Sequence, residues 1–255
     1  SGINLVPLGK GLPSFTAEEL EAALDHANTG RVANSVGAVM VESPVRRQAG
    51  QTVPYGEMQA ITELCRDQGI PTHLDGARLF MMAAADGRAP AGYASLFDTV
   101  YVSLYKYFGA PFGGMLAGTA EFGQDLYHDR RMFGSGLASS ALIAGLALKG
   151  TEGFEERFAE AMARARALFD RLNMLPGIAI RPFEHGSNIF PMELSDGMDA
   201  GALASSLAER SVFVYPENSW EGSTLLHVNT TLLRKSVDEL FEAFRHALEL
   251  ANLDP

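Results

Sequence analysis

Cysteine is almost missing from this chain. Cys65 stands alone among 255 residues, so no internal disulfide can brace the fold. It shares a helical stripe with Met58, Ile61 and Leu64, and nothing nearby would activate its thiol, so it reads as packed core. Basic residues are also short: 20 Lys and Arg face 31 Asp and Glu, a net charge of −11. With no basic run and no interleaving of aromatic and basic residues, nucleic acid and anionic membranes are excluded as main partners. Long apolar runs are lacking too. The longest, "ALIAGLAL" at 141–148, is far too short to span a bilayer. No signal-peptide pattern opens the sequence, and the expectation is a cytoplasmic protein.

What is present is alternation. "SFTAEELEAALDHA" (14–27) carries a capping box, Thr16 with Glu19, ahead of apolar positions Leu20 and Leu24, and predicts a helix. "VGAVMVE" (36–42) reads as a buried parallel strand, 55–69 as an amphipathic helix closed by Gly69, and "IPTHLD" (70–75) as a second strand. "LFDTVYVSLYK" (96–106) is a third β-rich run. The expected strand ends are therefore Glu42, Asp75 and Lys106, at the spacing of successive βαβ units. In open parallel sheets ligands bind beyond the carboxyl ends of strands, where these three ionisable residues fall.

After the glycine-rich "GAPFGGMLAG" (109–118), residues 119–150 read as helical with glycine interruptions, and a long amphipathic helix follows at 152–174. Strands are expected at 178–183, 187–194, 212–216 and 224–230, with helices near 198–209 and 236–250. The expected fold is α/β: a mostly parallel sheet covered by helices over 1–150, then a smaller α/β domain over 151–255.

Several chemistries compete for the polar residues. Lys106 is one of four lysines and the one set between an apolar strand and a Gly-Pro-Gly loop. A partly desolvated amine there is nucleophilic and can form a Schiff base; the plainer reading is a lysine reaching for water or pairing with Asp75. "SLYK" matches the Ser-x-x-Lys of serine acylases, but it ends a strand and lacks the partner motifs. His73 and Asp75 share a strand face and with Glu42 make a loose metal set, while His185 and His227 read as structural; the expectation is no metal. Arg46 and Arg47 read as a solvated turn, or as a hold on an anionic substrate.

Taken together, "HLDGARLF" (73–80) and "YVSLYKYFGAPFGGMLAG" (101–118) resemble the threonine aldolase and aromatic amino acid β-eliminating lyase family, pyridoxal-phosphate (PLP) enzymes of the aspartate-aminotransferase fold type. The resemblance implies that Asp75 pairs with the pyridine nitrogen and Ala77 packs under the ring. Arg78 would face the phenolic oxygen or the substrate carboxylate, Ser103 would lie near the phosphate, and Lys106 would hold the cofactor as a Schiff base. Substrate-binding residues would be Arg78, Arg46, Arg47 and Glu42, with Glu42 or His73 among the candidates for the general base. The implied reaction is cleavage of the Cα–Cβ bond of a β-hydroxy-α-amino acid. The alternatives are β-elimination or an aminotransferase-like reaction.

The sequence also departs from that pattern. Val45 stands where the family has a histidine, and Leu226 where it has an arginine for the substrate carboxylate. The resemblance starts after the family's N-terminal segment, so a non-catalytic remnant acting only in self-association is a further reading. A homodimer or homotetramer acting on a small amino-acid substrate is what the family implies.

Overall fold

A computed structural model describes residues 2–29, 31–32 and 34–251. The chain divides into two compact units, one ending at Phe154 and the other beginning at Glu155.

The first unit opens with α1 (Ala17–Thr29), whose capping box forms as the sequence predicts. Glu19 N–H donates to Thr16 Oγ1 at 3.1 Å, and Thr16 N–H to Glu19 Oε2 at 3.2 Å. The next amide, Ala17 N–H, donates at 2.7 Å to Glu57 on α2 (Tyr55–Asp67), which ties the two helices together. The sheet has the order β1 (Val39–Glu42), β2 (Thr72–Asp75), β3 (Thr99–Ser103), β4 (Gly114–Ala117). The first three strands are parallel, and β4 returns antiparallel to β3. One face of the sheet (Val39, Val41, Leu74, Val100) joins Leu20, Leu24, Met58, Ile61 and Cys65 in a single core. Cys65 is fully buried, and burial, followed by the charge of Asp98, pushes its thiol pKa up.

Strand alternation sends Met40, Glu42, His73, Asp75, Thr99 and Tyr101 to the other face. Asp98 pins the start of this arrangement: its Oδ2 accepts from Thr72 N–H at 2.7 Å and Thr72 Oγ1 at 2.9 Å.

Three expectations need correction here. The run 96–106 is a strand only to Ser103, and Lys106 lies in the turn beyond it, because the backbone closes on itself through Phe108 N–H to Leu104 O. "GGMLA", read as loop, forms β4, since Leu104 N–H donates to Gly113 O and extends the antiparallel ladder. Two helices also went unread, α3 (Leu79–Asp86) and α4 (Pro90–Ala94). Leu79–Ala85 is nearly all apolar, so no helical periodicity marks it. The 119–150 stretch divides into α5 (Ala120–Met132) and α6 (Ser140–Thr151).

The second unit carries α7 (Phe154–Leu172, whose first residue belongs to the first unit), β5 (Ile178–Ile180), β6 (Ile189–Leu194), α8 (Ala200–Glu209), β7 (Ser219–Trp220), β8 (Ser223–His227) and α9 (Val237–Ala251). Its antiparallel sheet runs β5-β6-β8-β7. Phe190 of β6 meets Phe169 of α7 at 4.9 Å between ring centroids, and α8 packs on α9. The expected strand at 212–216 is absent. Val212–Tyr215 joins no sheet, and Val212 N–H instead closes the end of α8 on Leu207 O. Among the described residues no helix is long and apolar enough to cross a membrane.

Ser43, directly after β1, is fully buried, accepts from Val53 N–H at 3.1 Å and donates to Met82 Sδ at 3.1 Å. Ser43→Ala leaves a buried amide without its acceptor and is expected to cost roughly 1–3 kcal/mol, read as a lowered urea midpoint with an unchanged slope.

Candidate functional site

The parallel register lines up the carboxyl ends. Glu42 stands opposite Asp75, Asp75 opposite Tyr101, and Ser43 N–H extends the ladder to Asp75 O at 3.2 Å. Each strand then turns away into a short segment that carries chemistry.

After β1 the chain forms a short 3-10 helix, Arg46–Gln48, and Glu42 Oε1 accepts from Arg46 N–H at 2.8 Å. Glu42 is thereby engaged in fixing the segment that bears the arginines. After β2, Asp75 Oδ1 accepts from Ala77 N–H at 3.1 Å, an Asx-type turn that leads through Arg78 into α3. The glycine of "DGAR" has a steric reason: a Cβ at Gly76 would lie 3.1 Å from both Tyr101 O and Leu79 Cβ.

After β3 comes the turn with Lys106. Its neighbours Tyr107 and Phe108 are locked with Phe80 and Phe154 in an aromatic cluster, with centroid separations of 4.4 Å (Tyr107 to Phe108), 5.0 Å (Phe80 to Phe108) and 5.3 Å (Tyr107 to Phe154). Burial pushes the Tyr107 phenol pKa well up. Lys106 itself is half-buried, its Nζ 5.7 Å from the Tyr105 ring centre.

The ammonium of Lys106 is held below its ordinary pKa, first by burial and then by the positive charge of Arg78. Asp75 and Glu42 oppose that shift, and Arg46 adds to it. Four of the charged residues named from the sequence, Arg78, Asp75, Glu42 and Arg46, are thus within electrostatic reach of Lys106. Arg47 is exposed and exerts no such influence on Lys106.

Ser103 is fully buried and donates from Oγ to Tyr101 OH at 3.2 Å. The sequence reading passed over Tyr101, although its strand parity with Ser103 was available. Its ring lies against Gly114, where a Cβ would fall 2.4 Å from Tyr101 Cε2; this is why the second glycine of "FGGM" has no side chain. Ala77 is half-buried in the Asp75 turn. His73 pairs its Nδ1 with Thr99 Oγ1 at 2.8 Å, and burial lowers its pKa against the pull of Asp75. Among the described residues no group of three His, Cys, Asp or Glu could hold a metal ion.

The chain is similar to known proteins over most of its length. The family described as Beta-eliminating lyase matches residues 1–194. The low-specificity L-threonine aldolase of Candida albicans is 35% identical over 99 residues, 39% of this chain and 26% of that protein. Low-specificity L-threonine aldolase 1 of Arabidopsis thaliana is 24% identical over 216 residues, 84% of this chain and 60% of that protein. A solved structure from Listeria monocytogenes, assigned as an L-allo-threonine aldolase, superposes with a TM-score of 0.76 at 28% identity, covering 96% of this chain and 67% of its own. The ornithine aminotransferase of Toxoplasma gondii, at 18% identity and a TM-score of 0.58, shares the fold alone. The chain spans a quarter to three fifths of the length of the curated relatives it matches.

The electrostatics can be checked on the lysine directly. In pH-dependent labelling with acetic anhydride, read by mass spectrometry, Lys106 is expected to react at lower pH than Lys10, Lys149 and Lys235. Removing a negative neighbour, Asp75→Asn, should lower its pKa further, and removing a positive one, Arg78→Gln, should raise it.

Proposed function

Because the chain belongs to the beta-eliminating lyase family, we propose that its Lys106 site binds pyridoxal 5'-phosphate and cleaves the Cα–Cβ bond of a β-hydroxy-α-amino acid. The observation that carries this reading is the pairing of a half-buried lysine of lowered pKa with an aspartate at the end of the neighbouring parallel strand. That pair suits the ring end of the cofactor, which presents an aldehyde for an amine and a basic nitrogen for a carboxylate. Two of the relatives named above are low-specificity L-threonine aldolases, which supports the aldolase reading over β-elimination or transamination.

In this reading Lys106 is the amine that holds the cofactor, and its lowered pKa keeps more of it neutral and nucleophilic near pH 7. Asp75, fixed by the Ala77 amide, would pair with the ring nitrogen, and Ala77 would lie under the ring. When bound, pyridoxal phosphate accepts the electron pair released at the α-carbon. Arg78 and Arg46 are the cations placed to hold the substrate carboxylate. Glu42 orients Arg46 through its backbone rather than serving as a free base. Ser103 serves through Tyr101, which it orients, rather than as an open donor to a phosphate. Exposed apolar residues on β4 (Met115, Leu116) and α6 (Leu142, Leu146, Leu148) support self-association as a homodimer or homotetramer.

The test is a visible spectrum of the 255-residue chain with added pyridoxal phosphate, before and after borohydride, followed by peptide mapping. The expected result is a borohydride-sensitive band with the adduct on Lys106, lost in Lys106→Ala. Conversion of threonine or allo-threonine to glycine and acetaldehyde should accompany it and fall about 10²–10³-fold in Asp75→Asn. An adduct spread over the other three lysines would refute the assignment.

A further inference from the structure

The second unit contains a cavity of about 760 Å³, lined wholly by residues of that unit. It opens beside β8, where Val212–Tyr215 runs without joining the sheet. Its lining includes the apolar Phe169, Val212, Val214, Leu226, Leu232 and Phe244, with Asn218, His227 and Asn229 among the polar residues. Arg234 and Lys235 line it as well, and no acidic side chain does, in a protein whose net charge is −11. Among the described residues neither cation is within ion-pair distance of a carboxylate. Lys235 helps to hold down the pKa of the nearby Glu239 carboxyl, yet Glu239 Oε2 accepts from Ser236 N–H at 2.7 Å and Oγ at 2.8 Å, capping α9.

The backbone under the two cations is fixed rather than loose. Asn229 Oδ1 caps the short 3-10 helix Thr230–Arg234 through Thr231 N–H at 2.9 Å, and Arg164 reaches across from α7 to Leu233 O and Lys235 O. A volume of this size suits a small organic ligand. Exposed Arg234 and half-buried Lys235 set two cations beside the apolar side chains of the lining, which suits a ligand with one anionic end and one apolar end. With no acid in the lining, an α-ammonium group would find no ion-pair partner there, which favours a ligand without one.

We propose that this cavity binds a monocarboxylate with an aliphatic or aromatic body, its carboxylate on Arg234 and Lys235 and its body against Val212, Val214 and Leu226. The binding test uses no cofactor, so its failure and that of the Lys106 reading are separately visible.

The experiment is isothermal titration calorimetry of the full chain, without cofactor, against decanoate below its micellar concentration. Decan-1-ol and leucine serve as comparison ligands. One-to-one binding of decanoate is expected, at least about tenfold tighter than decan-1-ol, with no heat from leucine. Arg234→Gln/Lys235→Gln should weaken it about tenfold or more, and Val214→Trp, which fills the cavity, should abolish it; circular dichroism checks that each variant is folded. Absence of saturable binding would overturn the proposal. So would binding that survives Val214→Trp, or decanoate and decan-1-ol binding alike.

Discussion

Everything at the Lys106 site depends on the register of three parallel strands. Glu42, Asp75 and Tyr101 face each other across adjacent ladders, and side chains alternate between the two faces with a period of two. A slip of one residue in β2 would turn Asp75 into the apolar core and bring Leu74 out in its place. Two devices oppose such a slip. On the core face, Val39, Val41, Leu74 and Val100 are all buried against the helices, so the wrong register exposes them. At the start of β2 and β3, Thr72 and Asp98 exchange three hydrogen bonds, including Asp98 N–H to Thr72 Oγ1 at 3.1 Å. The Asp75 carboxylate is thus positioned by apolar packing below it and by a polar clasp at the opposite end of the strand.

Much of this was legible in the sequence because it depends on local pattern. The capping box at Thr16 and Glu19, the apolar runs of β1 and β2 and the stripe containing Cys65 each follow from spacing within about a dozen residues. The acidic ends of β1 and β2 were legible for the same reason. What escaped was decided by partners far along the chain. β4 is a strand because β3 offers it a ladder, and its glycines hide that. Lys106 leaves the strand because an aromatic cluster involving Phe80 and Phe154 seats the turn. Val212–Tyr215 has the composition of a strand, but its first amide is claimed by α8. Local β propensity does not decide pairing when a helix end competes for the same donor.

The glycines show the same division. Gly76 and Gly114 flank Tyr101 from two directions, one at its carbonyl and one at its ring. Neither has a positive φ, so neither is there for backbone freedom. Both make room for a single tyrosine whose hydroxyl accepts from buried Ser103. Nothing in the local sequence around either glycine points to that tyrosine. The structure assigns these two positions to packing within the sheet, which in turn sets the floor beside Asp75.

The charges around Lys106 lead to a last point about what controls its amine. Two cations, Arg78 and Arg46, and two anions, Asp75 and Glu42, act on it with opposite signs. Burial outranks each of these four charges as the cause of the lowered pKa. Burial at this position is a property of the turn, and the turn is held by Tyr107 and Phe108 in their cluster with Phe80 and Phe154. Phe80 lies in α3, just beyond the Asp-Gly-Ala-Arg turn, so the element that carries Arg78 also supplies the ring that seats Lys106. The nucleophilicity of the lysine and the placement of its aspartate and arginine neighbours therefore rise and fall together. A change in the aromatic cluster would reach the amine through solvent access, with every charged group still in place.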